Sequence, residues 1–374
     1  MNHVSNPPTD PTVERLIEQV RAAQADAAAL QIRGGGTKDF YGGALTGKPL
    51  ELGALRGISS YEPTEMVITA RGGTPLLEME EALAERGQHL AFEPPRFGAR
   101  GQTTVGGMVA AGLAGPARAA VGGVRDFVLG ACVLNGRGEM LRFGGQVVKN
   151  VAGYDVSRLF AGSMGVLGVI CEVSLKVLPV AASCESVALG CNQAQALRLL
   201  QSWTRAALPI NASGWCAGIL RARLCGAATA VRSALQRLKN ESAAGLLEQD
   251  LAQGYWAGLR DQTDKFFVAG NDGTPQASLW RVSVPATCPP LDLSGQILIE
   301  WGGAQRWYWT DAPAERLRDV AARAGGHASV FRSQARTTDF LTPVSAPLER
   351  IHRALKQSLD PAGIFNRGRL YPWM

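Results

Sequence analysis

Glycine is distributed very unevenly along this 374-residue chain. Of its 44 glycines, 28 lie between Gly34 and Gly168, and only 16 lie in the other 239 residues. Glycine is needed where the backbone takes a positive φ or where another segment approaches too closely for a Cβ. The first part of the chain must therefore fold with many tight turns and close backbone contacts. The change in composition falls near Pro179.

The overall composition is that of a folded globular protein. Apolar residues make up 46% and charged residues 19%, which excludes a disordered chain. The length predicts two or three domains. We expect no membrane span, because no stretch of 18 apolar residues occurs. We also expect no secretory signal, because residues 1–10 are polar and contain two prolines.

The charged and metal-binding residues exclude two further classes of protein. The net charge is +6, with 31 arginines and 7 lysines scattered along the chain, whereas nucleic-acid binding needs clustered basic residues with aromatic neighbours. An anionic small substrate or an acidic protein partner remains open. The seven cysteines form no C-x-x-C pair and the four histidines no metal-spaced pair, so we expect no metal or iron–sulfur site. The cysteines are predicted to be reduced and to pack as small apolar side chains.

The order of elements indicates an α+β fold without the regular βαβ rhythm of a doubly wound sheet. Residues 12–30 have the apolar spacing of a helix, and residues 166–177 alternate as a long strand. An Asn-Gly turn at Asn135 predicts a hairpin. After residue 180 tryptophan becomes common, with seven of the eight in the next 130 residues. We therefore predict three parts, at residues 1–180, 181–330 and 331–374.

Four glycine-rich segments carry the candidate chemistry. The first, Arg33-Gly34-Gly35-Gly36-Thr37-Lys38, follows a predicted strand. Consecutive glycines leave backbone N–H groups free to bind an anion such as a pyrophosphate. The segment has neither the P-loop spacing nor the G-x-G-x-x-G spacing. Taken alone, a triple-glycine segment more often forms an ordinary tight turn.

The other three segments have a similar character. In residues 93–111, Thr103 or Thr104 can cap a helix that begins with two glycines, and such a helix N-terminus suits a phosphate. A small-residue helix packed close to a sheet would show the same pattern. Residues 122–130 form a third loop. In residues 147–170, a small-residue turn leads into a strand whose backbone could pair with a flat heterocycle.

The order and spacing of these segments resemble the FAD-binding domain of the vanillyl-alcohol-oxidase type, also called the PCMH type. The matching residues are Arg-Gly-Gly-Gly-Thr-Lys-Asp-Phe-Tyr-Gly at 33–42, Lys-Asn-Val-Ala-Gly-Tyr-Asp at 149–155 and Gly-Ser-Met-Gly-Val-Leu-Gly at 162–168. Phe-Asn-Arg-Gly-Arg at 365–369 is similar to the family's Phe-Asn-Pro-Gly-Arg, with arginine in place of proline. More closely, the chain resembles the FAD-binding subunits of bacterial glycolate oxidases.

The resemblance implies a fold and a cofactor. It implies a PCMH-type FAD-binding domain of two α/β subdomains, then a smaller α+β cap domain for substrate or docking, and a C-terminal segment that returns to the flavin. The cofactor-binding residues that it implies are Arg33, Gly34, Gly35, Gly36, Thr37, Lys38, Pro94, Gly101, Thr103, Thr104, Gly106, Gly107, Arg125, Asp126, Gly168, Val169, Ile170 and Asn366.

Two departures from the family's pattern bear on the chemistry. Members that bind FAD covalently usually have a histidine in the first loop, and this chain has none there, so we expect non-covalent FAD. The histidine pair and the downstream Glu-His pair that hold metal and substrate in single-chain 2-hydroxyacid dehydrogenases of the superfamily are also missing. Candidate cations for a substrate carboxylate are Lys149, Arg332 and Arg369, each of which is also compatible with a structural role. No catalytic base is evident.

The resemblance implies a subunit of a glycolate (2-hydroxy acid) dehydrogenase that oxidises glycolate to glyoxylate. Its implied partners are a homologous larger FAD subunit and an iron–sulfur subunit that accepts the electrons. In a second hypothesis the chain holds FAD for electron transfer or as a scaffold, while a partner performs the substrate chemistry. A third is an NADPH-dependent flavin reductase on the same fold. We expect a cytoplasmic protein that reaches the inner face of the cell membrane only through its partners.

Overall fold

A computed structural model of the chain describes residues 10–145, 155–242, 244–269, 277–333 and 340–374. The α-helices are α1 (Pro11–Ala25), α2 (Leu76–Ala84), α3 (Val105–Ala111), α4 (Arg118–Val121), α5 (Val124–Phe127), α6 (Gln193–Arg205), α7 (Ala228–Ser242), α8 (Gln249–Asp261), α9 (Lys265–Ala269), α10 (Ala314–Arg323) and α11 (Ala346–Leu359). Short 3₁₀ helices occupy Val156–Phe160 and Trp301–Gly303.

The strands form two larger sheets and two strand pairs. In chain order they are β1 (Leu30–Arg33), β2 (Lys48–Glu51), β3 (Ile58–Glu62), β4 (Val67–Arg71), β5 (Gln88–His89), β6 (Val128–Leu134), β7 (Met140–Gly144), β8 (Val169–Lys176), β9 (Leu178–Pro179), β10 (Ser183–Gly190), β11 (Ile210–Cys216), β12 (Ile219–Gly226), β13 (Gly245–Leu246), β14 (Ser278–Ser283), β15 (Gln296–Glu300), β16 (Gln305–Thr310) and β17 (His327–Arg332).

The N-terminal helix packs on a small parallel strand pair. Helix α1 buries Leu16 and Val20 against β1 and β2, which pair in parallel, and against Phe365 from the C-terminal segment. The helix is shorter than the 12–30 span predicted from its apolar spacing. It ends at Ala25, and the chain turns at Ala27 with φ of 50°. The turn lets β1 begin at Leu30 on the same side of the helix.

A five-stranded antiparallel sheet forms the centre of the first part of the chain. Its strand order is β3-β4-β8-β6-β7. The predicted hairpin is present as β6 and β7, and the side chain of Asn135 accepts hydrogen bonds from the N–H groups of Arg137 and Glu139 at 2.9 and 3.0 Å. Helices α2 and α3 cover the sheet and share one apolar core with it. This packing fixes the position of α3 on the sheet.

An eight-stranded antiparallel sheet follows, from Ser183 to Arg332. Its order is β13-β10-β12-β11-β15-β16-β14-β17. Helices α6, α7 and α10 pack against it with apolar side chains. Another apolar cluster joins Trp307 and Phe331 of the sheet to Phe97 and Leu113 of the first part. The sheet therefore lies against the segments that follow β5 and α3.

Two cysteines are paired, which corrects the prediction that the cysteines are reduced. Cys184 on β10 and Cys225 on β12 form a disulfide. They occupy directly opposed positions in the antiparallel register of these strands. Their separation of 41 residues hides this proximity in the sequence. The described cysteines without a disulfide are Cys132, Cys171, Cys191, Cys216 and Cys288.

The C-terminal segment returns to the first part of the chain. A buried ion pair at 2.7 Å joins Lys356, in the last turn of α11, to Asp360 directly after the helix. Lys356 also donates to the carbonyl oxygen of Val166, at 2.7 Å. Phe365 then forms an isolated parallel bridge with Leu30 of β1. None of the helices in the described ranges combines the length and apolar character needed to cross a membrane.

Candidate cofactor site

A cavity lies where three distant parts of the chain meet. Its walls come from the loop after β1, from helix α3, and from the turn that precedes β8. The C-terminal segment contributes Asn366 and Arg369. The predicted site residues that line it are Arg33, Gly34, Gly35, Gly36, Thr37, Lys38, Thr104, Gly106, Gly107, Gly168, Ile170, Asn366 and Arg369.

The first glycine loop is shaped by close contact with the second. A Cβ on Gly35 would lie 1.6 Å from the carbonyl oxygen of Gln102, and the side chain of Gln102 donates to the carbonyl oxygen of Gly35 at 2.8 Å. Gly36 has φ of 67°, which favours glycine. Among the described residues, the backbone N–H groups of 34–38 donate to no protein acceptor. This backbone is therefore available to an anionic ligand in the cavity.

Helix α3 contributes its first turn to the cavity. Thr104 is the N-cap, as one of the two predicted alternatives had it, and its hydroxyl accepts from the N–H of Gly107 at 3.2 Å. A Cβ on Gly106 would lie 2.8 Å from the carbonyl oxygen of Gly72. The same Thr104 hydroxyl would lie 2.3 Å from a Cβ on Gly34. Small residues thus allow the helix, the first loop and the turn after β4 to meet.

Asn366 ties the C-terminal segment into the cavity wall. Its side chain accepts from the N–H of Ile32 at 2.7 Å and donates to the carbonyl oxygen of Met164 at 2.6 Å. Its own N–H donates to the carbonyl oxygen of Leu30 at 2.9 Å. A Cβ on Gly165 would lie 2.6 Å from the Asn366 amide nitrogen. Asn366 therefore holds β1 and the 164–165 turn at a fixed separation.

Lys38 is the cation of the cavity with a strongly shifted pKa. Burial lowers the pKa of Lys38 to about 8. Its ammonium group lies 3.3 Å from the hydroxyl of Thr37 and 5.7 Å from the centre of the Phe97 ring. Arg33, in contrast, forms a salt bridge with Asp39 at 3.1 Å. The ammonium group of Lys38 is weakly hydrated and forms no salt bridge with a carboxylate among the described residues. It therefore suits an anionic ligand.

The three candidate cations for a substrate carboxylate fall in different places. Arg369 donates to the backbone carbonyl oxygens of Gly43, Tyr41 and Lys38, so it braces the first loop as well as lining the cavity. Arg332 is outside the cavity lining and lies over the rings of aromatic residues, and burial lowers its pKa to about 10. Lys149 lies outside the described residues.

Six other predicted cofactor residues do not line the cavity. Thr103 is nearest, with its hydroxyl 3.3 Å from that of Thr37. Asp126 is exposed and accepts from the N–H of Gly123 at 2.8 Å, so it stabilises its own turn. The others are Pro94, Gly101, Arg125 and Val169, of which Pro94 and Val169 are buried and Gly101 and Arg125 are exposed.

Several lining residues were not among the predicted cofactor-binding residues. Ile32, Leu45, Leu52 and Ala110 supply apolar surface. Met164 has φ of 50°, which is unusual outside glycine. Its position between Gly162 and Gly165 was the available sequence signal. Within the described ranges, no three histidine, cysteine, aspartate or glutamate residues come together as a possible metal site.

Comparison with known proteins agrees with this geometry. Residues 11–144 match the FAD binding domain family. Over 358 residues the chain is 44% identical to glycolate oxidase subunit GlcE of Escherichia coli (strain K12). The matched region covers 96% of this chain and 97% of the relative. The chain belongs to the GlcE family. It is an FAD-dependent oxidoreductase of the class that acts on CH–OH groups.

Another relative of this GlcE-family chain matches it over a shorter length. Glycolate oxidase subunit GlcD of Bacillus subtilis (strain 168) is 33% identical over 145 residues, 39% of this chain and 29% of the relative. Among solved structures, p-cresol methylhydroxylase with bound substrate superposes with a TM-score of 0.69 at 14% identity, over 96% of this chain and 87% of that chain. The GlcE-family chain thus has the predicted PCMH-type FAD-binding fold.

Proposed function

We propose that this chain is the FAD-binding subunit of a glycolate dehydrogenase complex. The observation that carries the proposal is the match to glycolate oxidase subunit GlcE along nearly the whole of both chains. The word subunit in that relative's name supports assembly with other chains. We infer a homologous larger FAD subunit and an iron–sulfur subunit as partners, with any attachment to the membrane made through them.

The residues of the large cavity fit non-covalent FAD. The loop at Gly34–Thr37 offers backbone N–H groups for the pyrophosphate, and Lys38 offers a positive charge. Thr104, Gly107, Gly168, Ile170 and Asn366 line the remaining wall. The first loop has no histidine for a covalent link. When bound, FAD would supply a two-electron acceptor for oxidation of an alcohol to a carbonyl compound.

One observation supports the second hypothesis, in which this chain transfers electrons or acts as a scaffold. Asp39 is the carboxylate that lines the cofactor cavity, and it is paired with Arg33 at 3.1 Å. The described lining residues include no histidine. A base for substrate oxidation would then have to come from a neighbouring cavity or from a partner chain.

A visible spectrum of the purified chain tests the proposal. Acid precipitation should release the flavin into the supernatant, and anaerobic glycolate should bleach the flavin bands of the complex. Bleaching of the isolated chain would show that it acts as a catalyst by itself and would exclude a pure scaffold role. Flavin that stays with the precipitate would overturn non-covalent binding. A complete complex whose flavins all stay oxidised with glycolate would overturn the proposed substrate.

A further inference from the structure

Helix α11 exposes two large aliphatic side chains to solvent. Leu348 is 48% exposed and Ile351 is 61% exposed. They lie three positions apart, so they are neighbours on the helix surface. The helix packs against the protein through another face, where Lys356 and Leu359 are buried. An adjacent pair of exposed aliphatic residues on a well-packed helix is typical of a contact surface.

An open groove begins beside this exposed pair. Ala354 is exposed, follows Ile351 by three positions and lines the groove together with Arg353. Arg367 and Trp373 of the C-terminal segment line it as well. A groove between a helix and an extended segment can receive side chains of another protein. Leu348, Arg350, Ile351, Arg353, Arg367 and Trp373 are together called the α11 surface.

The aromatic wall of the groove is held in place by its neighbours. The ring of Trp373 stacks on that of Tyr371, with 5.0 Å between the ring centres and 4° between the planes. The guanidinium of Arg353 lies over the Trp373 ring at 4.5 Å. Lys356 of the helix donates to the carbonyl oxygen of Phe365 at 3.0 Å, which joins the helix to the C-terminal segment. A wall that is already ordered loses little conformational entropy when a partner binds.

Two arginines of the α11 surface have no carboxylate partner. Arg350 and Arg367 are both exposed, and neither forms a salt bridge with a carboxylate among the described residues. Arg367 donates only to the backbone carbonyl oxygens of Gly363 and Ala27. Arginine and tryptophan are both enriched at protein interfaces. The two guanidinium groups are therefore available to carboxylates of another chain.

The acidic groups beside these arginines are already paired. Glu349 forms a salt bridge with Arg353 at 2.6 Å, and Asp360 forms one with Lys356 at 2.7 Å. The main-chain oxygen of Met374, which also lines the groove, accepts from a backbone N–H at 2.6 Å. A basic partner would be repelled by the remaining guanidinium groups, whereas an acidic one complements them. The charges thus indicate an acidic partner.

The α11 surface adjoins the wall of the cofactor cavity. Arg367 in the groove directly follows Asn366, which lines the cofactor cavity. On the helix side, Lys356 lines the groove and donates to the carbonyl oxygen of Val166 at 2.7 Å. The residue before Val166 is Gly165, which also lines the cofactor cavity. A protein bound to the α11 surface is therefore held against segments that form the cofactor site.

We propose that the α11 surface docks an acidic face of another subunit of the complex. This inference rests on the proposed function. Leu348 and Ile351 pack against apolar side chains of that subunit, and Arg350 and Arg367 pair with its carboxylates. A protein fits this surface better than an anionic membrane does. A helix that binds lipid presents a broad apolar face, whereas this surface is a groove whose Trp373 ring is covered on both sides.

Salt-dependent release of the partner subunits tests the proposal on the intact complex. The complex is purified through an N-terminal tag on this chain, and mass spectrometry identifies the subunits retained as NaCl rises from about 0.05 M to about 1 M. Wild type should release its partners progressively, because salt screens the ion pairs. Arg350→Glu and Ile351→Ser should each lower the NaCl concentration at half release about twofold or more, since each removes a contact from the interface.

Matched variants elsewhere on the chain serve as controls. Arg232→Glu changes an exposed arginine on α7, and Leu251→Ser changes a leucine on α8 that is 63% exposed. Both should release the partners as wild type does. All four positions are exposed, so the melting temperatures of the isolated variants should match wild type. Arg350→Gln keeps the test valid if another variant of the α11 surface unfolds. Equal release by all variants would overturn the proposal, and so would a wild-type chain that retains no subunit at low salt.

Two further measurements on the isolated chain identify a different occupant. Sedimentation that shows a wild-type dimer, and a monomer for Ile351→Ser, would assign the α11 surface to a second copy of this chain. Binding of wild type, but not Arg350→Glu, to phosphatidylserine vesicles would assign it to a membrane. Either result would overturn docking of an acidic subunit. Failure of the proposed function is read separately, because a complex with these release profiles whose flavins stay oxidised with glycolate would leave the docking inference standing.

Discussion

Asn366 and Ile32 lie 334 positions apart in the sequence, yet the Asn366 side chain accepts a hydrogen bond from the Ile32 N–H at 2.7 Å. The same side chain donates to the carbonyl oxygen of Met164 at 2.6 Å. Ile32 directly precedes the first glycine loop, and Met164 lies in the turn before β8. One amide thus connects three walls of the cofactor cavity, so the C-terminal segment is required to close it.

Replacing Asn366 with alanine should loosen the cavity. The buried N–H of Ile32 and carbonyl of Met164 would both lose their partner, so the free energy of unfolding should fall by about 2–4 kcal/mol. The FAD content of the purified protein should fall with it. Urea unfolding and the flavin-to-protein absorbance ratio measure the two effects. Asn240→Ala, which removes an exposed amide on α7, is the matched control, and equal behaviour of the two variants would contradict the assignment.

Gly35→Ala should expel FAD while Gly53→Ala should not. A Cβ on Gly35 would lie 1.6 Å from the carbonyl oxygen of Gln102, whereas a Cβ on Gly53 would meet no atom within 4 Å. The first substitution must displace one glycine-rich loop from the other. Fluorescence titration of the flavin-free protein with FAD should show at least a tenfold weaker affinity for Gly35→Ala. Stoichiometric FAD in that variant would exclude the loop from the binding site.

Lys38 should make FAD binding depend on pH. Burial lowers its pKa to about 8, so the free protein loses this positive charge as the pH rises through about 8. A bound pyrophosphate favours the charged form, and affinity for FAD should therefore decrease above pH 8, by up to about tenfold per pH unit. Lys38→Met should bind more weakly and show no such decrease. Lys48→Met, at an exposed position, should follow wild type, and a Lys38→Met profile identical to wild type would refute the role.

The disulfide between Cys184 and Cys225 should stabilise the eight-stranded sheet. It closes a loop with a sequence separation of 41 residues, and a cross-link of that length contributes about 2–4 kcal/mol. Urea unfolding should shift to lower concentration when a reductant is added to wild type or Cys288→Ser. Cys184→Ser should already be destabilised and insensitive to the reductant. Detection of seven reactive thiols in denatured, unreduced wild type would show that the bond does not form.

Much of the cofactor site could be predicted because its determinants are local. Gly34–Gly36 and the 162–168 turn carry their backbone requirements in their own residue types. Thr104 is a cap residue followed by two glycines, so a helix start was readable there. The hairpin at Asn135 follows from its turn residues. In each case the physical constraint acts within a few residues of the position that shows it.

The buried surroundings of Glu300, which include Phe97, Arg281 and Trp307, could not be predicted, because these residues come from separate elements. Glu300 is the last residue of β15 and follows three apolar residues, which was a weak signal in the sequence. Its proximity to Arg281 depends on β14 and β15 both pairing with β16 in one sheet. Burial by Trp307 and Phe97 then gives the carboxyl group its raised pKa. Neither the pairing of these strands nor the burial of the Glu300 carboxyl group can be read from the residue types alone.

The sequence by itself determined the family, the cofactor and the glycine loops that approach it, because these depend on short motifs whose chemistry is intrinsic to the residues. Only the tertiary structure decided that Arg125 and Asp126 lie away from the cavity and that Arg369 bonds to the carbonyl oxygens of Lys38, Tyr41 and Gly43. It alone joined Cys184 to Cys225 and enclosed Glu300. These outcomes depend on which strands pair and which surfaces exclude water, and such long-range terms arise only when the whole chain packs.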